Sequence, residues 1–348
     1  MAARLRFALV GCGDFGKHLG RYLLEVADIV ALADPDPRGM EQTARALGLD
    51  VPRFADYREL LAHSDLGLEA VAVTAANFAH AAVTVAAAEA GVHVFCEKAM
   101  ARTVPECWEM VRACRRAGVK LMVGHKRRLR PPWARMLELT REDLLGPALA
   151  VTVAQYADYR PYGFYRTWWS DPALGGGFSH MHGVHVVDWL RALCGDARRV
   201  AALYGPQQDA RWGFGDVLHA TFQFCSGALA SLNGSLGFPL HQYRQAQGPW
   251  AQCRHGGFKL VPELDHIDLY WQRLDEEQAH HERFDDLGFD HAYRLEVGDF
   301  VRWVQEDRPP CLTWVEGLRC VEMMEAAHRS AAALGQAVDL PLYPELEE

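Results

Sequence analysis

The first 125 residues alternate short apolar runs with helical stretches, and that alternation is the strongest constraint on the fold. "LRFALV", "IVALAD", "AVAVT", "VHVFCEK" and "VKLMVGH" are apolar almost throughout. Strands of that kind are buried on both faces, so they belong in a parallel sheet covered by helices. The intervening stretches carry helix signals. Phe15, Leu19, Tyr22, Leu23 and Val26 fall on one helical face. Asp36, Pro37 and Gly48 read as N-cap, first helical position and stop. Asp56 with Glu59, and Thr103 with Glu106, have capping-box spacing, and Gly91 closes the alanine-rich "AHAAVTVAAAEAG". A doubly wound α/β domain on a parallel sheet is predicted over residues 1–125.

The texture changes after Gly124. "ALAVTVAQY", "DVLHATFQFCSGALASLNGSL", "GGFKLV" and "HIDLYW" are strand-like without regular helices between them. Ser226-Gly227 and Gly256-Gly257 read as hairpin signals. "HVVDWLRALCG" is one clear helix, and "YRLEVGDFVRWVQED" and "WVEGLRCVEMMEAAHRSAAALG" are two more. Residues 126–348 are therefore expected to form an α+β domain. Its sheet should be mostly antiparallel, with helices on one side. The irregular "GHKRRLRPPW" marks the boundary.

Net charge is −9, which argues against nucleic acid or an anionic membrane as partner. Nine cysteines without a CxxC read as reduced thiols, and no apolar run approaches a membrane span. The apolar run in "RLRFALVGCG" is too short for a signal peptide and breaks into glycines, so it reads as the first strand. A cytoplasmic location is the expectation.

"VGCGDFG" places Gly11, Gly13 and Gly16 in GxGxxG spacing between a strand and a helix. The first glycine allows a tight turn, the second a close approach to a pyrophosphate, and the third close helix–strand packing. Asp34 ends the second strand, where a carboxylate accepts bonds from ribose hydroxyls and repels a 2′-phosphate. NAD rather than NADP is the expected cofactor, although Arg38 lies close in sequence.

"GCGDFG", "ADPDP", "NFAH", "CEKAM", "GHKRRLRP", "GGG…GVHVVD" and the C-terminal "EGLRCVEMMEAAHRSAAALGQAV" occur in one order along the chain. In that order and spacing the sequence resembles the Gfo/Idh/MocA family of sugar and polyol oxidoreductases. The resemblance implies hydride transfer between a nicotinamide and a carbon bearing a hydroxyl or carbonyl. It carries Lys98 and His185 as catalytic residues. It places Gly11, Gly13, Asp14, Phe15, Gly16, Asp34, Thr74, Asn77, His80, Glu97, Lys98 and Arg128 at the cofactor. Lys98, Arg128 and His185, with Trp168 and His182 from the aromatic and histidine stretches, are the expected substrate residues. A histidine titrating near neutrality can exchange the hydroxyl proton, and an ammonium stabilises charge developing on oxygen. The resemblance implies an N-terminal Rossmann domain and, over residues 126–348, a substrate-binding and oligomerisation domain with a large open sheet, assembled as homodimers or homotetramers.

Three positions depart from the family pattern. Met181 stands where an aspartate is expected, four residues before His185, so no carboxylate there can orient the histidine. Ala99 and Ala76 replace prolines. A cis bond often precedes the first of these prolines, and with alanine there the backbone at Lys98 is open to change.

"HMHGVH" also raises a metal site: His182 and His185 would be one turn apart if a helix has begun by then. The preferred reading has no metal, with His185 catalytic and His180 or His182 replacing some of the lost polar contact. No thiolate or carboxylate lies at usual ligand spacing except Asp188, read as supporting the helix. "YRPYGFYRTWWSD" offers Tyr162, Phe164, Tyr165, Trp168, Trp169, Arg160 and Arg166 to a sugar face or its hydroxyls, or packs on the sheet or another subunit. The leading expectation is an NAD-dependent dehydrogenase or reductase of a sugar, polyol or related compound. A catalytically silent dinucleotide-binding regulator or scaffold is the alternative, and a metal-assisted lyase or hydrolase the third.

Overall fold

The structure, a computed structural model, describes residues 4–159, 168–171, 174–207, 217–238, 247–263, 265–285 and 288–346. It divides into two compact units, Met1–His125 with Asp290–Leu318, and Lys126–Phe289 with Arg319–Glu348.

The first unit is built on six parallel strands: β1 (Arg6–Val10), β2 (Asp28–Ala33), β3 (Arg53–Phe54), β4 (Ala70–Val73), β5 (His93–Glu97) and β6 (Leu121–Gly124). Their order is β3-β2-β1-β4-β5-β6, which reverses direction at β1 and β4 as in doubly wound folds. Helices α1 (Asp14–Val26), α2 (Pro37–Leu47), α3 (Tyr57–Leu61), α4 (Asn77–Glu89) and α5 (Val104–Ala117) connect them. All four residues of β4 are buried, as its unbroken apolar run requires.

The caps follow the sequence signals. The Asp36 carboxylate accepts the Arg38 N–H, Pro37 opens α2, and Gly48 ends it at φ +67°. Asp56 accepts the Arg58 N–H at the start of α3. Thr103 accepts the Glu106 N–H, while Glu106 reaches back to the Arg102 N–H.

A segment that the sequence places in the second domain packs with this unit. Helix α8 (Phe289–Glu306) sets Phe300 5.8 Å, centroid to centroid, from both Phe7 of β1 and Phe95 of β5. Tyr293 stacks on Tyr22 of α1 at 5.1 Å, and the Tyr22 hydroxyl donates to Asp290. Burying three phenyl rings together removes several hundred Å² of apolar area from water, enough to draw a distant segment onto the sheet.

The second unit opens with a short 3₁₀ turn (Lys126–Leu129) and helix α6 (Pro131–Leu139). The sequence reading left "RPPW" irregular. Its prolines sit in the first turn of α6, where no N–H donor is needed. A nine-stranded sheet follows: β7 (Ala148–Tyr156), β8 (Ala197–Tyr204), β9 (Val217–Phe224), β10 (Leu229–Ser235), β11 (Gln247–Cys253), β12 (Gly256–Pro262), β13 (Ile267–Arg273), β14 (His280–Phe284) and β15 (Val338–Asp339). Among the described residues, only the β7–β10 pair of this sheet is parallel. Helix α7 (Val184–Cys194) lies between β7 and β8 in the chain, and α9 (Trp314–Ala332) follows α8.

The register shows one covered face and one open face. Val200, Phe222, Ala230, Val151, Ala251 and Phe258 form a row across the strands, and all are buried. One residue along, Trp250 pairs with Lys259 and Lys259 with Tyr270; Trp250 is 59% exposed and Tyr270 39%.

The two hairpin signals fare differently. Ser226-Gly227 makes the β9–β10 turn, with Gly227 at φ +89°. The β11–β12 turn is instead Arg254-His255, and Gly256-Gly257 open β12. A Cβ on Gly256 would lie 2.1 Å from the Gln272 carbonyl oxygen, so close strand approach, not turning, requires that glycine.

None of the nine cysteines is in a disulfide, and seven of them are buried. No helix among the described residues is long and apolar enough to cross a membrane.

Candidate functional site

The glycine loop turns from β1 into α1. Gly11 has φ +101°, and a Cβ there would sit 2.3 Å from the Ala75 nitrogen. A Cβ on Gly16 would sit 2.2 Å from the Gly11 carbonyl oxygen, while one on Gly13 would meet nothing within 4 Å. Two glycines therefore close the loop against the protein. The third leaves bare backbone facing open space at the N-terminus of a 13-residue helix. Such a surface fits a pyrophosphate, because it offers N–H donors and the positive helix end without side-chain obstruction.

Neighbours brace this loop. The Thr74 hydroxyl donates to the Gly11 carbonyl at 2.6 Å, and Thr43 donates to the Cys12 carbonyl at 2.8 Å. Asp34, just past β2, accepts the Cys12 N–H on one oxygen at 2.6 Å and the Asp36 N–H on the other at 2.8 Å. Each carboxylate oxygen keeps a lone pair for a further donor, which suits a pair of ribose hydroxyls. Burial and the Asp34 charge push the Cys12 thiol up to about 12, so it stays protonated.

A cavity of about 300 Å³ runs beside Gly11, Asp34, Pro35, Tyr57, Arg58 and Ala75. Tyr57 and Arg58 were not singled out from the sequence. Asp56 was recognised as a cap, and the residues after a cap at the carboxyl end of a strand face this crevice in doubly wound sheets. The Arg58 guanidinium lies 4.6 Å from the centre of the Tyr57 ring.

At the far end of the sheet, Glu97 and Lys98 are 4% and 8% exposed. Glu97 accepts the Lys98 N–H at 3.2 Å, and the Lys98 ammonium sits 5.5 Å from the centre of the Phe15 ring. The Lys98–Ala99 peptide is cis, so alanine in the place of proline has not altered that bond. His80 is buried, with Nδ1 2.8 Å from the Ala99 oxygen and Nε2 2.9 Å from the Ala75 oxygen. Burial lowers its pKa, so the ring is neutral and donates to one of the two carbonyls. His80 thus ties together the backbone on two sides of the sheet's carboxyl edge. Asn77 is buried as the first residue of α4, and Asp14, exposed, pairs with Lys17.

The second unit holds the remaining candidates. The Arg128 guanidinium forks onto the fully buried Asp188, with Nε 2.9 Å from Oδ2. A charge-assisted fork of this kind fixes both partners. The Cys320 thiol lies 3.9 Å from Asp188 Oδ1, a sulfur neighbour that the sequence did not show. Trp168 and Trp169 stack at 4.3 Å, while Tyr162, Phe164, Tyr165, Arg160 and Arg166 lie outside the described residues.

"SHMHG" forms a π-helical turn, Ser179–Gly183, that leads into α7. Its i→i+5 closure inserts an extra residue, so His182 and His185 straddle a π-to-α junction rather than one regular turn. The ring nitrogens have separate surroundings. His180 Nδ1 lies 3.2 Å from the Gly176 oxygen, and His182 Nε2 lies 2.6 Å from the Tyr159 hydroxyl. Ser179 hydrogen-bonds His328, whose pKa falls to about 4 through burial and the neighbouring His180. Met181 is buried.

Residues 5–125 match an oxidoreductase family described by its NAD-binding Rossmann fold, and residues 133–250 match the GFO/IDH/MocA C-terminal domain. The chain is 30% identical over 238 residues to 2,7-anhydro-N-acetylneuraminate hydratase of Mediterraneibacter gnavus, covering 67% of this chain and 62% of that protein's length. It is 28% identical to D-xylose 1-dehydrogenase (NADP(+)) 2 of Haloferax volcanii, over 90% of this chain and 92% of that one. Levoglucosan dehydrogenase, solved with NADH and levoglucosan, has the same fold, with a TM-score of 0.84, 21% identity and coverage of 97% and 99%. With both of its domains matched in order, and with a glycine loop that fits a dinucleotide, the chain belongs to the Gfo/Idh/MocA family of NAD(P)-dependent oxidoreductases.

Proposed function

We propose that the protein is an NAD-dependent dehydrogenase or reductase of a sugar, polyol or related hydroxy compound. The observation that carries the reading is the glycine loop with Asp34 at the mouth of the cavity. A nicotinamide dinucleotide, when bound, supplies the hydride acceptor or donor. The loop N–H groups hold its pyrophosphate, and Asp34 accepts the ribose hydroxyls. The fixed negative charge of Asp34 opposes a 2′-phosphate and so favours NAD. Arg58 lines the same cavity, and it is the residue that would serve a phosphate if NADP bound instead.

Lys98 places an ammonium on the reacting oxygen, and His185 exchanges the hydroxyl proton. His182 and Trp168 serve the substrate, and Arg128 acts through its fork onto Asp188. The relatives' names, a xylose dehydrogenase and a hydratase of an anhydro-sugar acid, support a carbohydrate substrate. A homodimer or homotetramer in the cytoplasm completes the reading. The open sheet face with Trp250 and Tyr270 supports self-association.

The test mixes the protein with NAD and a panel of sugars and polyols. It follows both the absorbance of reduced nicotinamide and the products, because a hydratase makes no net change in the cofactor. Turnover on any panel member is expected. Tight NAD binding with no product anywhere on a broad panel would favour a catalytically silent regulator.

A further inference from the structure

Met181 removes the carboxylate that the family pattern places one turn before His185. The second unit gathers a different polar chain beside it, centred on His182. Tyr159 lies three residues past the end of β7. Its hydroxyl is 2.6 Å from His182 Nε2, and the two rings are 5.3 Å apart. Backbone bonds fix its position: the Tyr159 N–H donates to the Leu236 oxygen at 3.1 Å, and the Ala157 N–H to the Ser235 oxygen at 2.9 Å. Arg127 donates to Gln155 Oε1 at 2.8 Å from the 3₁₀ turn that opens the unit, and it interacts electrostatically with Tyr159. Gln155 is buried, so this guanidinium is held in place from the sheet. Burial pulls the Arg127 pKa down to about 10, and the Asp188 carboxylate opposes that pull. Arg127 therefore remains a cation at neutral pH.

Two proton arrangements satisfy the Tyr159–His182 contact. The phenol can donate to Nε2, or Nε2–H can donate to the phenol oxygen. A phenol O–H is a much more acidic donor than the N–H of a neutral imidazole, and a cation interacting with it strengthens it further. The first arrangement is therefore preferred. With Nε2 as acceptor, the neutral ring carries its single proton on Nδ1.

We propose that Tyr159 is a positioning residue that holds His182 as the Nδ1–H tautomer in one orientation. The ring is thereby prepared as a neutral donor to an oxygen of a hydroxyl-bearing substrate. This rests on the reading of His182 as a substrate residue. It also assigns a task to Tyr159 that the missing acid at position 181 cannot perform.

Nitrogen-15 NMR of histidine-labelled full-length protein tests the tautomer directly, with His182→Gln used to assign the signal. The expected result is an unprotonated Nε2 and a protonated Nδ1 in the wild type. In Tyr159→Phe, which keeps the ring and removes only the hydroxyl, the Nδ1–H preference should be lost. Kinetics supply the second arm. Tyr159→Phe should lower kcat on the order of tenfold with cofactor affinity unchanged, and should add little in a His182→Gln background, since coupled residues are non-additive. An unchanged His182 tautomer in Tyr159→Phe overturns the proposal, as do additive losses in the double variant. The NMR arm needs no turnover. A tautomer that changes as expected in a protein that turns over no sugar supports the hold of Tyr159 on His182 and counts against the substrate reading alone.

Discussion

The glycine loop and the histidine turn each connect a preceding segment to a helix, and they obey the family pattern to different degrees. At the loop, every position has the residue that its geometry demands: Gly11 turns, Gly16 packs and Gly13 stays bare. At the histidine turn, the expected acid is a buried methionine, and the helix begins with a π turn. The family is described by its NAD-binding fold, so the surface that holds the cofactor meets one kind of ligand. Substrates differ, and the segment that meets them is free to exchange one polar partner for another. The contrast locates what is general in this protein in the first unit and what is particular to it in the second.

The largest test asks whether the altered turn still performs chemistry. Lys98→Ala and His185→Ala are each expected to lower kcat by about 10²–10⁴-fold, the usual span for a proton-transfer or charge-stabilising group. Cofactor affinity measured by calorimetry should change little, because these groups act mainly in the transition state. A His185→Ala enzyme with near-normal turnover would show that the departure at Met181 extends to the mechanism itself.

Gly16→Ala probes the glycine loop. The new methyl group would meet the Gly11 carbonyl oxygen at 2.2 Å, where backbone must move to admit it. Overpacking of this kind costs about 1–3 kcal/mol. Both the thermal midpoint and NAD affinity should fall. Gly13→Ala, with open space around its Cβ, should leave the midpoint nearly unchanged and weaken only the cofactor. Equal thermal losses in the two variants would refute the division of roles within the loop.

Much of this was legible in the sequence, for reasons that differ along the chain. The parallel strands announced themselves because burial on both faces leaves unbroken apolar runs. The caps at Asp36, Asp56 and Thr103 were legible because they are local hydrogen bonds over two or three residues. Helix α8 was seen as a helix, but its packing against Phe7 and Phe95 was not, since no local signal records a contact across some 200–290 residues. Tyr159 and Arg127 were missed for the same reason: β7 and a short turn bring them to His182 and Gln155 from 23 and 28 positions away. The thiol of Cys320 beside Asp188 is a third case, at a separation of 132.

A smaller effect is expected at Asp34. NAD should bind more tightly than NADP, and Asp34→Ala should weaken NAD by on the order of tenfold, the value of a charge-assisted hydrogen bond. The same change should weaken NADP less, because it also removes a repulsion. Titration calorimetry with both cofactors decides. Tighter binding of NADP by the unaltered protein would shift the assignment to Arg58 and Arg38, and would place a family-variable choice inside the region described above as general.

The smallest expected effect is none. Treatment with a chelator should leave turnover unchanged, and elemental analysis should find no stoichiometric zinc or iron. The reason lies in how the histidine turn uses its nitrogens. His182 Nε2 is engaged by Tyr159, and His180 Nδ1 faces a backbone carbonyl. Asp188, the carboxylate one helical turn after His185, is forked to Arg128, so a cation there would have to displace a guanidinium. Hydride transfer assisted by Lys98 and an imidazole requires no Lewis acid on the oxygen. The Asp188–Cys320 pair gives the opposing outcome a definite place, since a thiolate and a carboxylate are competent ligands. A tightly held metal whose removal abolishes turnover, and which is lost in Cys320→Ser, would sever Asp188 from its role beside Arg128. It would make the second unit a metal site, and the contrast between the two turns would then be one of chemistry rather than of polar partners.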